Sequence, residues 1–100
     1  MPIKDSLTRL GADVGTWRRL RKLTAKQVAD RAGVSASTLL RLEAGNGASL
    51  ENVLRIVRAL GLLETISASL DPYTTDVGRL RADEILPKRV RHRTRGIKNV

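Results

Sequence analysis

Thr24 to Gly45 reads TAKQVADRAGVSASTLLRLEAG, two short amphipathic runs on either side of a glycine. Thr24 can cap the first run. Gln27 stands three residues on, and at that spacing each side chain can bond the other's backbone N–H. Val28, Ala29 and Ala32 follow at three- and four-residue spacing, one face of a helix. Gly33 marks the exit, because a residue without Cβ enters the left-handed region at no steric cost. Ser35 can cap a second helix, in which Leu39 and Leu42 turn inward. Gly45 and the Asn46-Gly47 pair end it. Two short helices around a tight turn make a helix-turn-helix. The bland alternative is a small helical bundle in which such a turn is incidental.

Upstream, residues 6–22 read as a first helix capped by Asp5 or Ser6, with Leu7, Leu10, Val14 and Trp17 at helical spacing. Gly11 and Gly15 count against it, at about 1 kcal/mol each relative to alanine. The run Arg18 to Lys22 suits a helix C-terminus, where cations meet the negative end of the dipole. Downstream, Ser49 can cap a fourth helix over residues 50–60, with Leu50, Val53, Leu54, Val57 and Leu60 on one face and Gly61 at its end. A short fifth helix follows over 62–70, stopped by Asp71-Pro72. Thr74 to Leu86 has room for one further short element around Val77, Leu80, Ile85 and Leu86.

The expected fold is therefore all-α: a five-helix domain with a helix-turn-helix over residues 1–70, then a C-terminal extension over 71–100 that ends in a basic tail. One hundred residues suffice for one domain, or a smaller one with a tail. The core must be aliphatic, since Trp17 and Tyr73 are the only aromatics. The absence of cysteine rules out a disulfide or thiolate metal site. His92, the only histidine, sits among arginines and reads as a solvated tail residue rather than a ligand. No apolar run approaches the roughly 18 residues of a membrane span, and the start lacks the apolar centre of a secretion signal. A soluble, cytoplasmic protein is the expectation, with no metal and no cofactor. The scattered acids and the lack of a glycine-rich phosphate loop argue against an enzyme.

Nineteen Lys and Arg against ten Asp and Glu give a net charge of +9. On so small a chain this is the electrostatic footprint of a nucleic-acid binder. An anionic membrane surface or an acidic protein are the other partners it would suit, but the bulky apolar anchors of a membrane-surface helix are missing. Beyond Glu84 there is no acid, while Lys88, Arg89, Arg91, Arg93, Arg95 and Lys98 accumulate. Such a run is expected to stay disordered and to attract phosphates.

The turn A-G-V-S, the apolar pair Leu39 and Leu42, and the closing L-E-x-G of Leu42 to Gly45 resemble the lambda-repressor-like (XRE) DNA-binding domain. The likeness extends weakly over residues 7–70. It implies that the second helix of the motif enters the major groove, its outward side chains touching base edges. With Leu39 and Leu42 inward, the outward set is Ala36, Ser37, Leu40, Arg41 and Ala44. Arg41 can grip guanine O6 and N7 with two hydrogen bonds, or meet a phosphate. Ser37 can donate or accept, and Ala36 and Leu40 can rest on thymine methyls. Lys26 and Gln27 would approach a phosphate at the start of the motif's first helix, although relatives often have glutamine where this chain has Ala25. Ser35 and Asn46 complete the DNA-binding candidates. The loop Gly45 to Ala48 lacks the cation that many relatives carry, which leaves its backbone amides and Asn46 for any phosphate contact.

The resemblance also implies an ion pair between Arg18 and Glu43. It implies a twofold dimer on an inverted repeat, with half-sites about 34 Å apart. Leu62, Leu63, Ile66 and Leu70 are candidates for the dimer seam, unless they only complete the core. The function implied is a sequence-specific transcriptional repressor. A compact domain with a short basic tail is similar to the HipB-like antitoxins, which bind their own operator and a kinase-like toxin, and to small phage and plasmid repressors. The rival from another class is an adaptor whose helix-turn-helix binds a partner protein rather than DNA.

Overall fold

A computed structural model describes residues 2–86. Six α-helices follow in order: α1 Ile3–Leu20, α2 Ala25–Ala32, α3 Ala36–Glu43, α4 Leu50–Ala59, α5 Leu63–Leu70 and α6 Asp76–Ile85. A single 3-10 turn, Pro72–Thr74, precedes α6, and the described residues contain no strand. The all-helical expectation holds, with six helices where five were expected. The basic run from Lys88 to Lys98, with His92, lies outside the described residues. The chain divides into two units between Ile66 and Ser67, within α5.

The first unit is built on caps. Thr24 accepts from the Gln27 N–H at 3.0 Å, while the Gln27 side chain accepts from the Thr24 N–H at 2.8 Å. Ser35 and Ser49 open α3 and α4 in the same way, each accepting an N–H three residues on. At the other ends, α1, α2, α3 and α4 all close by one device. A residue one or two positions past the helix turns left-handed, at Lys22, Gly33, Gly45 and Gly61. The next N–H then reaches back five residues: Leu23 to Arg18, Val34 to Ala29, Asn46 to Arg41 and Leu62 to Val57. These paired bonds satisfy carbonyls that a helix end leaves open. Three of the four positions are glycine. Lys22, at φ 58°, is the exception and the one non-glycine residue with positive φ among those described.

α1 begins three residues earlier than its sequence suggests. Pro2, not Asp5 or Ser6, stands at the cap, and its carbonyl accepts the N–H groups of Asp5 and Ser6. Nothing in Ile3-Lys4-Asp5 opposes helix, and Asp5 in the first turn complements the dipole. The apolar stripe of α1 is also not its packing face. Val14 is buried, but Leu7, Leu10 and Trp17 remain exposed. The side that packs carries Gly11 and Gly15, both buried.

The core of this unit is aliphatic, with Val28, Leu39, Leu42, Ile56 and Leu60 buried to 2% exposure or less. α4 meets it through Ile56, joined by Leu60 just past the helix end, and Val57 is buried as well, whereas Leu50, expected on that face, is exposed. Leu62 precedes α5 and packs against the core from its edge.

The second unit is small and held by local bonds. Asp71 accepts from the Tyr73 N–H at 2.9 Å, and the Thr74 hydroxyl donates to the carbonyls of Ala68 and Asp71. Thr75 caps α6 by accepting from the Gly78 N–H at 2.9 Å. A Cβ at Gly78 would stand 2.2 Å from the Pro72 carbonyl oxygen, so the 3-10 turn and α6 fit together only around a glycine. Arg79 pairs with Asp76, and Arg81 with Glu84 at 3.5 Å. The T-x-x-G cap explains why this stretch forms a full helix.

Candidate nucleic-acid interface

α3 has two sides of opposite character. Leu39 and Leu42 are 0% and 1% exposed, and they fix α3 against the core. Ala36, Ser37, Leu40, Arg41 and Ala44 all face solvent. Leu40, at 51% exposure, contributes nothing to the core from there. The Arg41 guanidinium has no acidic or hydrogen-bonding partner among the described residues, so its donors point outward unused. Such a side is suited to base edges: one planar bidentate donor, one hydroxyl, and small or branched apolar groups between them.

The remaining candidates are placed less uniformly. The Ser35 hydroxyl lies 3.1 Å from that of Ser37 and 2.8 Å from that of Thr38, besides capping α3. Its hydrogen-bonding capacity is largely used within the turn. Gln27 spends its side-chain oxygen on the Thr24 N–H, which leaves its amide nitrogen for an outside acceptor. Lys26 is exposed and pairs with Asp30 one turn on, at 3.1 Å. Asn46 is exposed, and its N–H closes α3 onto the Arg41 carbonyl. Leu62, Leu63 and Ile66 are half-buried, while Leu70 is exposed.

α1 holds the far end of α3 in place. Arg18 Nε donates to Glu43 Oε2 at 2.7 Å and Nη2 to Oε1 at 3.0 Å, a two-pronged bond matching the guanidinium fork to the carboxylate. The third prong, Nη1, reaches the Leu23 carbonyl at 3.2 Å. Both side chains are mostly buried, 16% and 12% exposed. The hydrogen bond that Arg18 donates to Glu43, opposed by burial and aided by the carboxylate charge, raises the Arg18 pKa above the ordinary guanidinium value.

Two residues that look like liabilities in the sequence bring these elements together. A Cβ on Gly11 would stand 2.1 Å from the Leu42 carbonyl oxygen and 3.1 Å from the Gly45 nitrogen. A Cβ on Gly15 would stand 3.2 Å from Glu43 Oε1 and 3.3 Å from Arg19 Nη1. Gly11, Gly15 and Arg18 are four and three residues apart, so they share one side of α1. That spacing was the available signal, and reading the glycines only as a helix cost missed it.

Among the described residues no group of three or more His, Asp or Glu could hold a metal ion, and no helix is long and apolar enough to cross a membrane. The helix-turn-helix family model matches residues 15–65, which takes in α2, α3, α4 and the Arg18–Glu43 pair. No curated protein and no solved structure gives a significant match.

Proposed function

The chain belongs to the XRE, or lambda-repressor-like, helix-turn-helix family of DNA-binding regulators, and from that premise we propose that it is a sequence-specific repressor acting as a homodimer on an inverted-repeat operator. The observation that carries this reading is the division of α3, with two leucines sealed in the core and an unpartnered Arg41 between small side chains outside. In the major groove Arg41 donates two hydrogen bonds to guanine O6 and N7, and Ser37 takes a neighbouring base edge. Ala36 and Leu40 rest on thymine methyls. The start of α2 faces the backbone, where free N–H groups, Lys26 and the Gln27 amide nitrogen meet a phosphate. Asn46 serves the same strand from the loop.

The reading extends to a cytoplasmic protein in two parts. Residues 1–70 form the DNA-binding domain. Residues 71–100 form an extension that contributes to the dimer seam with Leu62, Leu63, Ile66 and Leu70, and carries phosphate-binding cations. An autoregulating antitoxin is the narrower role within this reading, and a kinase-like toxin that binds the chain would establish it. The test is enrichment of sequences from a random duplex pool, followed by titration at several salt concentrations. A twofold-symmetric sequence with a steep salt dependence is expected. Equal affinity for selected and random DNA would overturn the reading in favour of a protein-binding adaptor.

A further inference from the structure

α1 presents a second face, about a third of a turn from the one that meets α3. It borders an open groove of about 580 Å³, formed with Val53 and Val57 of α4 and with Leu62 and Ile66. No residue of α2 or α3 lines this groove. Leu10 and Trp17 form its α1 wall and are each 40% exposed, a large apolar surface to leave in water. Arg9 and Asp13 stand on the same wall, one turn apart and exposed. Neither has an ion pair or hydrogen bond among the described residues. With the cation first, an i, i+4 pair is in its weaker orientation, and these two side chains do not meet.

The Arg21 guanidinium already lies over the Trp17 ring, 5.3 Å from its centroid, whereas Arg9 and Asp13, a cation and an anion each without a partner beside one apolar ridge, form a self-complementary pattern. In a twofold contact, residue i of one copy meets residue j of the other, and j meets i. We propose that this groove seats a second copy of the chain, α1 against α1 in antiparallel order. Leu10 and Trp17 of each copy are covered by the other, and Arg9 of one copy pairs with Asp13 of the other, twice over. Two copies that each carry +9 repel at a distance, so opposite charges placed at the contact are what such a dimer needs. The proposal rests on the homodimer reading above and deepens it. Leu62 and Ile66, already candidates for that seam, line the same groove.

The test is sedimentation equilibrium, free and on operator DNA, of Arg9→Glu, of Asp13→Arg and of their equimolar mixture. Both positions are exposed and partnerless, and circular dichroism checks that the variants fold. Arg9→Glu alone sets acid against acid at both contacts, and Asp13→Arg alone sets base against base. In the mixture every acid meets a base. Each variant alone should dissociate at least about tenfold more readily than the wild type, and the mixture should return to near wild-type affinity. Either variant dimerising normally by itself would place the seam elsewhere and leave the homodimer standing. A mixture that stays monomeric would overturn the Arg9–Asp13 register. A wild type that is monomeric both free and on DNA would remove the homodimer reading, and this proposal with it.

Discussion

Gly11 meets Leu42 backbone to backbone: a Cβ added to the glycine would lie 2.1 Å from the leucine carbonyl oxygen. At that point α1 crosses the end of α3, and two main chains approach with no side chain between them. Gly11→Ala must push the helices apart, which outweighs the roughly 1 kcal/mol gained in helix propensity. A net loss of about 1–3 kcal/mol is expected. Gly15→Ala meets only the ends of the Glu43 and Arg19 side chains, at 3.2 and 3.3 Å, and should stay within about 1 kcal/mol of wild type. Urea unfolding of the two variants checks the contrast. Equal losses at both positions would refute it.

Arg18 and Glu43 are expected to be coupled. Glu43→Gln or Arg18→Met leaves a mostly buried charge without its partner. Fully buried pairs lose roughly 3–5 kcal/mol this way, and the residual exposure of this one brings the expectation to about 2–4 kcal/mol. The double variant should lose less than the sum of the singles, and a double-mutant cycle reads the difference. The arginine side of this bond should be insensitive to pH. A raised folded-state pKa contributes stability that is fully present below the ordinary guanidinium range and lost only above it. A melting temperature that fell between neutral and mildly alkaline pH in wild type, but not in Arg18→Met, would contradict this.

Lys22 occupies a left-handed position at φ 58° that the other three helix ends fill with glycine. The conformation costs a side-chain-bearing residue about 1–2 kcal/mol, while glycine adds up to about 1 kcal/mol of unfolded-chain entropy. Lys22→Gly should therefore stabilise by roughly 0.5–1 kcal/mol, a rise of a few degrees in melting temperature for a chain of this size. An unchanged or lower midpoint in calorimetry would count against the strain argument.

On DNA, Arg41→Ala should cost about 1–3 kcal/mol on the preferred sequence and relax the preference at one position per half-site. Lys26→Ala should weaken all sequences alike. Equal losses for Arg41→Ala on specific and random duplexes would reassign that side chain to a phosphate.

Deleting residues 88–100 removes six cations and no acids. For each phosphate that the tail neutralises in the full chain, the deletion should lower the slope of log affinity against log salt by about 0.9, with sequence preference retained. An unchanged slope, accompanied by weaker dimerisation or partner binding, would make the tail a protein-binding segment.

The helix-turn-helix was legible because its determinants are local. Thr24 and Gln27 lie three residues apart, and Gly33 and Ser35 mark the turn between the two helices. Leu39 and Leu42 could be assigned inward from spacing alone. Contacts between distant residues were harder to read. The partner of Gly11 lies some thirty positions away, so the glycine could only be judged by its intrinsic helix cost. Leu10 and Trp17 fit a helical stripe that α1 does not pack with, because spacing gives a face but not which face. Ile56 went unnoticed while the exposed Leu50 was counted inward, a choice settled by the direction in which α4 crosses the core. The start of α6 fits against the 3-10 turn only because Gly78 lies close to the Pro72 carbonyl, a contact that no pattern of apolar residues signals.

The division of α3 has an evolutionary consequence. The side chains that hold this helix in the protein, Leu39, Leu42 and Glu43, are not the ones it turns outward. Positions 36, 37, 40 and 41 can therefore mutate with little effect on folding, because the atoms they would gain or lose lie in solvent. On the base-reading role proposed for α3, a lineage can drift from one preferred DNA sequence to another through viable intermediates. A randomised library at those four positions should yield folded proteins at high frequency, each a different reader on one frame.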